Sequence, residues 1–249
     1  MTESKIMKKF SSLLCLIALS QPIFAGDAGH GTTRGVIEIA NLVRPADAVT
    51  LIGEKGHELI HEEKGKETKW VFGDGVLTAS PVWDSLVTKG TYMDFIMHVE
   101  FNVNKAKNPK NLEADGNSGI YIQKRYELQI QNAYGTPEKD FTSSYGGSIY
   151  KLKKPDRFVA KPAGDWQTYD IVFRSARFAD GKKTEDARIT VYQNGELIHD
   201  DFPIPRKTGA GAAEDPEPGV IKFQGHHNPV KFRNTWIKKL SLDSATPKP

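Results

Sequence analysis

The sequence predicts an all-β fold, a sandwich of two antiparallel sheets, on three observations. From Val49 onward the chain is a succession of short extended runs separated by Gly, Pro, Asn and Asp, with no sustained helical period. Two longer runs alternate strictly: Phe95, Met97, Val99 and Phe101 face one way against His98 and Glu100, and Tyr169, Ile171 and Phe173 oppose Asp170 and Arg174. Each is therefore a strand with one buried face, and such faces imply two packed sheets. Finally, Arg188 to Tyr192 and Glu196 to His199 flank Asn194-Gly195, a strong hairpin signal because both turn positions tolerate positive φ.

Taken in order, residues 1–25 have the pattern of an export signal: Lys8 and Lys9, an apolar stretch from Leu13 to Leu19, then Ile23-Phe24-Ala25 before Gly26. The stretch is too short to span a bilayer, and no later run has the length to do so. Cys15 lies inside it and no cysteine follows, which excludes disulfides, thiol catalysis and cysteine-ligated zinc from the rest of the chain. A periplasmic or secreted location is expected. Residues 26–46 have little periodicity and are expected to form a leader laid over a single domain at 47–242, with 243–249 a tail. Without Lys5, Lys8, Lys9 and Glu3 the formal charge of +3 falls to about +1, and no long basic run remains to bind nucleic acid.

Residues 116–132, GNSGIYIQKRYELQIQN, read as a glycine-flanked Asn-Ser turn feeding an extended run. The run puts Tyr126, Leu128 and Ile130 on one face and Glu127, Gln129 and Gln131 on the other. A carboxylate and two amides on one face suit a polyhydroxylated ligand, and so do the neighbouring Tyr121, Tyr126, Tyr134, Tyr145 and Tyr150, whose rings are apolar and whose hydroxyls are not. The competing reading is a solvated polar face, common in antiparallel sheets. Residues 104–116, 152–165 and 203–219 read as long loops, placed to form the rim of a cleft. Val220 to Gln224 and Val230 to Ile237 read as a final strand pair joined by Gly225-His226-His227-Asn228-Pro229.

The order of GDGVLTASPVWDSLVTKGTYMDFIMHVEF, GNSGIYIQKRYELQIQN, GGSIYKLKKP, the Trp166 strand, QNGELIHD and GVIKFQGHHNPVKFRNTWIKKL resembles the 3-keto-disaccharide hydrolase family, over roughly residues 47–242. The resemblance implies a jelly-roll β-sandwich of the concanavalin A-like lectin and glucanase type, exported and acting on glycosides. Asn132 and Phe223-Gln224-Gly225-His226-His227 depart from it, standing where family members often carry acidic residues. Glu127, Gln129, His226, Arg233 and Asn234 match.

The chemistry this implies can be reasoned on its own terms. A ketone at C3 acidifies the C2 proton, whose removal lets the C1 oxygen leave by elimination, after which water adds. The site needs a base near C2, donors to an enolate oxygen and an acid for the leaving group. Glu127 and His226 are the candidates for base and acid, with Asn117, Tyr121, Gln129, Tyr150, Lys151 and Arg233 binding sugar or enolate oxygens, and His98 and Glu100 extending the same groove. For each there is a plainer role: Glu127 as a surface carboxylate paired with Lys124 or Arg125, His226 as a solvated turn residue, Arg233 as half of an ion pair. Ligand type would allow a divalent metal on Glu127, His226 and His227, but no metal-binding motif supports one and none is predicted. The substrate is a carbohydrate, and a sugar 3-dehydrogenase is the functional partner it would call for. A non-catalytic carbohydrate-binding module is the main alternative, because the fold serves both. A conventional retaining glycosidase needs two carboxylates about 5 Å apart; Glu127-Leu128-Gln129 offers an amide where the second would stand.

Overall fold

The computed structural model describes residues 32–37, 42–105 and 114–242. The expected signal at 1–25, residues 26–31 and 38–41 of the leader, part of the 104–116 loop and the tail at 243–249 lie outside them. Sixteen strands are described: β1 (Val49–Gly53), β2 (Gly56–His57), β3 (Leu59–His61), β4 (Val71–Gly73), β5 (Val76–Thr78), β6 (Leu86–Thr88), β7 (Asp94–Asn102), β8 (Ser118–Ile122), β9 (Tyr126–Ile130), β10 (Trp166–Arg174), β11 (Arg177–Ala179), β12 (Lys182–Glu185), β13 (Ala187–Gln193), β14 (Glu196–Ile204), β15 (Lys222–Phe223) and β16 (Lys231–Leu240). They form a jelly-roll sandwich. The large sheet runs β14-β13-β10-β7-β16-β1-β2, with β5 also on β16 and β4 on β5, and the small sheet runs β3-β6-β15-β8-β9.

Period-two alternation builds the core. Phe95, Met97, Val99 and Phe101 of β7 and Tyr169, Ile171 and Phe173 of β10 point inward to meet Ile120, Ile122, Tyr126, Leu128, Ile130 and Phe223 of the small sheet. The rings mesh across the two layers: Tyr126 lies 5.7 Å from Phe173, and Phe223 meets Phe232 edge-on at 5.3 Å. Removing one such ring costs about 3–5 kcal/mol. The Asn194-Gly195 hairpin forms as expected, with φ of 53° and 85° at the turn and Gln193 opposite Glu196.

Two expectations change. The run at 116–132 is not one strand but a hairpin, because Gln123 and Lys124 take φ of 54° and 58° and fold β8 back onto β9. Nor do residues 220–224 and 230–237 pair with each other: β15 lies in the small sheet and β16 in the large one. Gly225 to Pro229 crosses between layers, which lets Phe223 and Phe232 enter the same core from opposite sides.

The described part of the leader docks on the large sheet. Thr33 donates from its amide and hydroxyl to Asp201 Oδ1 (2.7 and 2.9 Å), and Ile37 packs with Ile96, Val172 and Trp236 on the sheet's outer face. Burial alone would raise the Asp201 carboxyl, but Arg188 and Thr33 outweigh it and hold the group at about 2.

His199 of β14 is wholly buried and donates from Nε2 to Gly147 O (2.7 Å), while its Nδ1 has no partner. Burial pushes the imidazole down to about 4, so it is neutral in the folded protein. The unfolded chain takes up this proton below about pH 6.5 and the folded one only near 4. Stability should therefore fall by about 3 kcal/mol as pH drops through that window, and urea midpoints at pH 7 and 4.5 should show a smaller loss in His199→Gln.

Candidate active site

The outer face of the small sheet is organised by strand register. Across one row stand Ile60, Val87, Lys222, Tyr121 and Glu127, each the paired residue of the next. In the next row Gln224 bonds Gly119 through its amide (3.0 Å), and Gly119 is opposite Gln129. Continuing the register by two more residues aligns Trp83, His226, Asn117 and Gln131. The ring of Trp83 meets that of His226 at 4.3 Å, as this alignment requires.

Glu127 is the centre of the arrangement and is only 3 % exposed. The Tyr121 hydroxyl bonds to its carboxylate, and that phenol is raised first by burial and then by the charge of Glu127. Gly119 makes this possible. A Cβ there would lie 2.6 Å from Glu127 Oε1, so only glycine leaves the carboxylate room above β8. The free edge of β9 is covered by two loops. Tyr150 N donates to Glu127 O (3.0 Å), Gly147 N to Gln129 O (2.9 Å), and the Glu127 amide to Thr208 Oγ1 (2.7 Å). Gly209, at a φ of 37°, lies against Tyr150 and Glu127 from above, and a Cβ there would lie 3.1 Å from the Tyr150 ring.

The amides beyond it carry unused capacity. Gln129 donates to Ser144 O (3.3 Å), but its oxygen has no partner, the Gln224 oxygen has none, and Gln131 has none on either side-chain atom. Buried polar atoms left so cost about 1–3 kcal/mol each unless water or a ligand meets them. At the other end Lys124 and Lys222 both hold Glu62 (2.7 and 2.8 Å). Burial raises the Glu62 carboxyl, and the two lysines more than offset it.

The structure brings Asn117, Tyr121, Glu127, Gln129, Tyr150 and His226 to this one region. Lys151 is at its exposed rim, its ammonium 5.0 Å from the Tyr150 ring. The remaining three are elsewhere. His98, Glu100 and Arg233 alternate outward from the large sheet, so the whole sandwich separates them from Glu127 and they do not extend its groove. There His98 contacts Asp170 (2.5 Å), Glu100 accepts from Arg233 (2.6 Å) and Asn234 (2.7 Å), and Arg233 covers the Trp166 ring at 3.9 Å. The surface pairings considered for Glu127 are also absent: Lys124 bonds Glu62, and Arg125 bonds Asp215. Among the described residues no three His, Asp or Glu side chains converge as a metal-ligand group. The sequence alone points to none of Gly119, Gln224 and Trp83, and to Gln131 only as an amide on the same face as Glu127 and Gln129. Gln131 and Gln224 follow from period-two alternation once the register is known, whereas Trp83 precedes its strand and carries no periodic signal.

A buried carboxylate among tyrosines and open amides, on one face of a jelly roll, defines a carbohydrate-active protein. The chain belongs to the 3-keto-alpha-glucoside-1,2-lyase-like domain family, whose sequence profile matches residues 55–238. A Parabacteroides distasonis protein classed provisionally as a glycosyl hydrolase is 30 % identical, with a TM-score of 0.72 over 80 % of this chain and 86 % of that one. A second such protein from that organism, 24 % identical over 78 % of this chain and 99 % of its own, has a TM-score of 0.53 and shows the fold alone. No curated protein matches the sequence. Family and relatives make the protein a carbohydrate-active enzyme.

Gly119→Ala should expel the Glu127 carboxylate from its place beside Tyr121 while costing only about 1 kcal/mol, because the far end of a side chain yields more readily than backbone. A crystal structure of the variant and a urea melt would check both.

Proposed function

We propose that the protein is an exported enzyme that cleaves 3-keto glycosides by elimination, followed by hydration. The observation that carries this reading is the buried Glu127 carboxylate, held by Tyr121 over the Gly119 floor. The family match supports it.

The reacting ring would sit on the Gly119, Gln129 and Gln224 row, between Glu127 and His226. Glu127 takes the C2 proton, and the C2–H electrons form an enolate whose oxygen at C3 accepts hydrogen bonds from hydroxyl or amide donors. Collapse of the enolate expels the C1 oxygen, which His226 protonates as it leaves, since imidazole suits proton transfer near neutral pH. Water then adds across the resulting C1–C2 double bond. Gln129 and Asn117 hold ring hydroxyls. The C3 ketone must come from a prior oxidation, which makes a sugar 3-dehydrogenase the functional partner, and the first 25 residues favour work in the periplasm or outside the cell.

Purified enzyme should release the chromophore from a chromogenic 3-keto-glucoside and not from the unoxidised parent. Glu127→Gln should lower kcat by about 10²–10⁴-fold with the melting temperature nearly unchanged. Full activity in that variant would remove Glu127 from the mechanism, and sugar binding without release by the wild type would make the protein a binding module.

A further inference from the structure

We propose that the lysines and arginines of the 151–161 and 206–207 loops form a docking surface for an acidic polysaccharide, a chain of sugar rings that carry carboxylates. The surface lies beside the cleft, not in it, and would hold the protein on an anionic glycan. The elimination chemistry described above uses none of these cations, so the two readings are independent.

Charge is spread unevenly along the chain. Residues 149–164 hold Lys151, Lys153, Lys154, Arg157 and Lys161 against Asp156, a balance of +4, and residues 203–213 hold Arg206 and Lys207 with no acid, a balance of +2. The whole chain is +3, so everything else sums to −3. The two segments lie together. Lys207 donates to Gly209 O (3.2 Å), Gly209 packs on the Tyr150 ring, and the Lys151 ammonium is 5.0 Å from that ring. Lys153 in turn is 5.8 Å from the ring of Phe202, next to Pro203. Two of the seven cations are already engaged, Lys153 with Asp156 and Arg157 with Glu196 (2.6 Å). Lys151, Lys154, Lys161, Arg206 and Lys207 are exposed and take part in no ion pair among the described residues. Of the acids that follow, Glu214, Asp215 and Glu217, the first two are held by Lys183 and Arg125.

Two features separate this collar from an ordinary solvated surface. The first is rigid presentation. Pro155, Pro162, Pro203 and Pro205 fix φ within the loops that carry the cations, so ordering them on a ligand costs little entropy. Lys151 has a φ of 57°, a left-handed conformation in which glycine is the less costly residue, yet a lysine stands there with its amide bonded to Ser143 O (2.8 Å). The second feature names the ligand. Three of the ammonium groups stand beside aromatic rings: Lys151 by Tyr150, Lys153 by Phe202, and Lys154 by Phe158 at 5.5 Å. Charge alone would serve an anionic membrane. A ring beside a cation adds an apolar surface for the sugar while the cation meets its carboxylate. Tyr150 borders both regions, since its amide bonds Glu127 O (3.0 Å), so a polymer held on the collar passes the mouth of the cleft.

The test is binding of the purified protein to immobilised polygalacturonate, to its neutral methyl ester and to phosphatidylglycerol vesicles. The wild type should bind polygalacturonate about tenfold or more tightly than the ester at low salt, and lose that preference at about 300 mM salt, where exposed charges are screened. The triple variant Lys154→Gln, Arg206→Gln, Lys207→Gln should weaken binding about tenfold. A control triple of exposed lysines elsewhere, Lys55→Gln, Lys64→Gln, Lys182→Gln, removes the same charge and should keep most of the affinity. All six positions are on the surface, and unchanged melting temperatures would show that both triples fold. Equal binding of polygalacturonate and its ester, equal losses in the two triples, or tighter binding to the vesicles would overturn the docking surface. Polygalacturonate is not oxidised at C3 and binding is read without turnover. Cleavage of a 3-keto-glucoside without polymer binding would therefore sink the docking surface alone, and polymer binding without cleavage would sink the elimination reading alone.

Discussion

The register of the β8–β9 hairpin is the constraint on which the site depends. A three-residue loop, Gln123-Lys124-Arg125, pairs Ile122 with Tyr126, and from that pairing follow Tyr121 opposite Glu127 and Gly119 opposite Gln129. Side chains alternate with period two, so a slip of one residue would send Glu127 into the core and Leu128 into the groove. Neither exchange is tolerable. Burying an unpaired carboxylate in an apolar core costs several kcal/mol, and exposing Leu128 and Ile130 forfeits about 2 kcal/mol apiece. Tyr169 reinforces the register from the other sheet by donating across the core to Gln129 O (2.8 Å). The apolar inner face thus determines where the polar outer face presents its groups.

The loops complete what the sheet begins. Alone, β9 would be an edge strand with Glu127 in water. Segments 147–150 and 208–212 cover that edge with backbone hydrogen bonds, and close contact is secured by residues without side chains: a Cβ at Gly146 would lie 2.7 Å from Gln131 O, and one at Gly211 would lie 2.1 Å from Arg125 O. His199 ties Gly147 to β14, linking the loop over the site to the far edge of the large sheet. The result is a carboxylate in a low-dielectric setting, where its hydrogen bond to Tyr121 and its interactions with a ligand are stronger than in water.

Much of this was legible in the sequence, for identifiable reasons. β7, β10 and the Asn194-Gly195 hairpin were plain because strict alternation and a glycine turn are local signals. The outward orientation of Glu127, Gln129 and Gln131 followed from the same alternation. The Gln123-Lys124 turn was hidden because neither residue favours positive φ, and only tertiary packing holds them there. The separation of β15 from β16 was hidden for a related reason: a short apolar pair around a Gly-Pro loop reads as a hairpin, and only the shared core shows that the chain changes sheets. His98, Glu100 and Arg233 illustrate the limit of alternation, which tells inside from outside but not which outside. Two sheets have two outer faces, and the residues assigned to one groove were divided between them.

That division bears on the chemistry. The outer face of the large sheet is taken up by the docked leader and by closed pairings, His98 with Asp170 and Glu100 with Arg233. On the small sheet Glu62 is held by two lysines, and Asp115, two residues beyond Asn117, accepts from Asn132 (2.6 Å), so both of these acids are already engaged. Displacement at an unactivated glycosidic bond depends on two carboxylates that share the work. A substrate already oxidised at C3 carries its own activation, since the ketone accepts the electrons released from C2, and the protein then needs one base, donors for the enolate and a proton for the departing oxygen. A buried carboxylate with a tyrosine at its side and an imidazole farther along the groove is what such a reaction asks for. The scarcity of acids on this face, a defect in an ordinary glycosidase, becomes consistent with the proposed reaction.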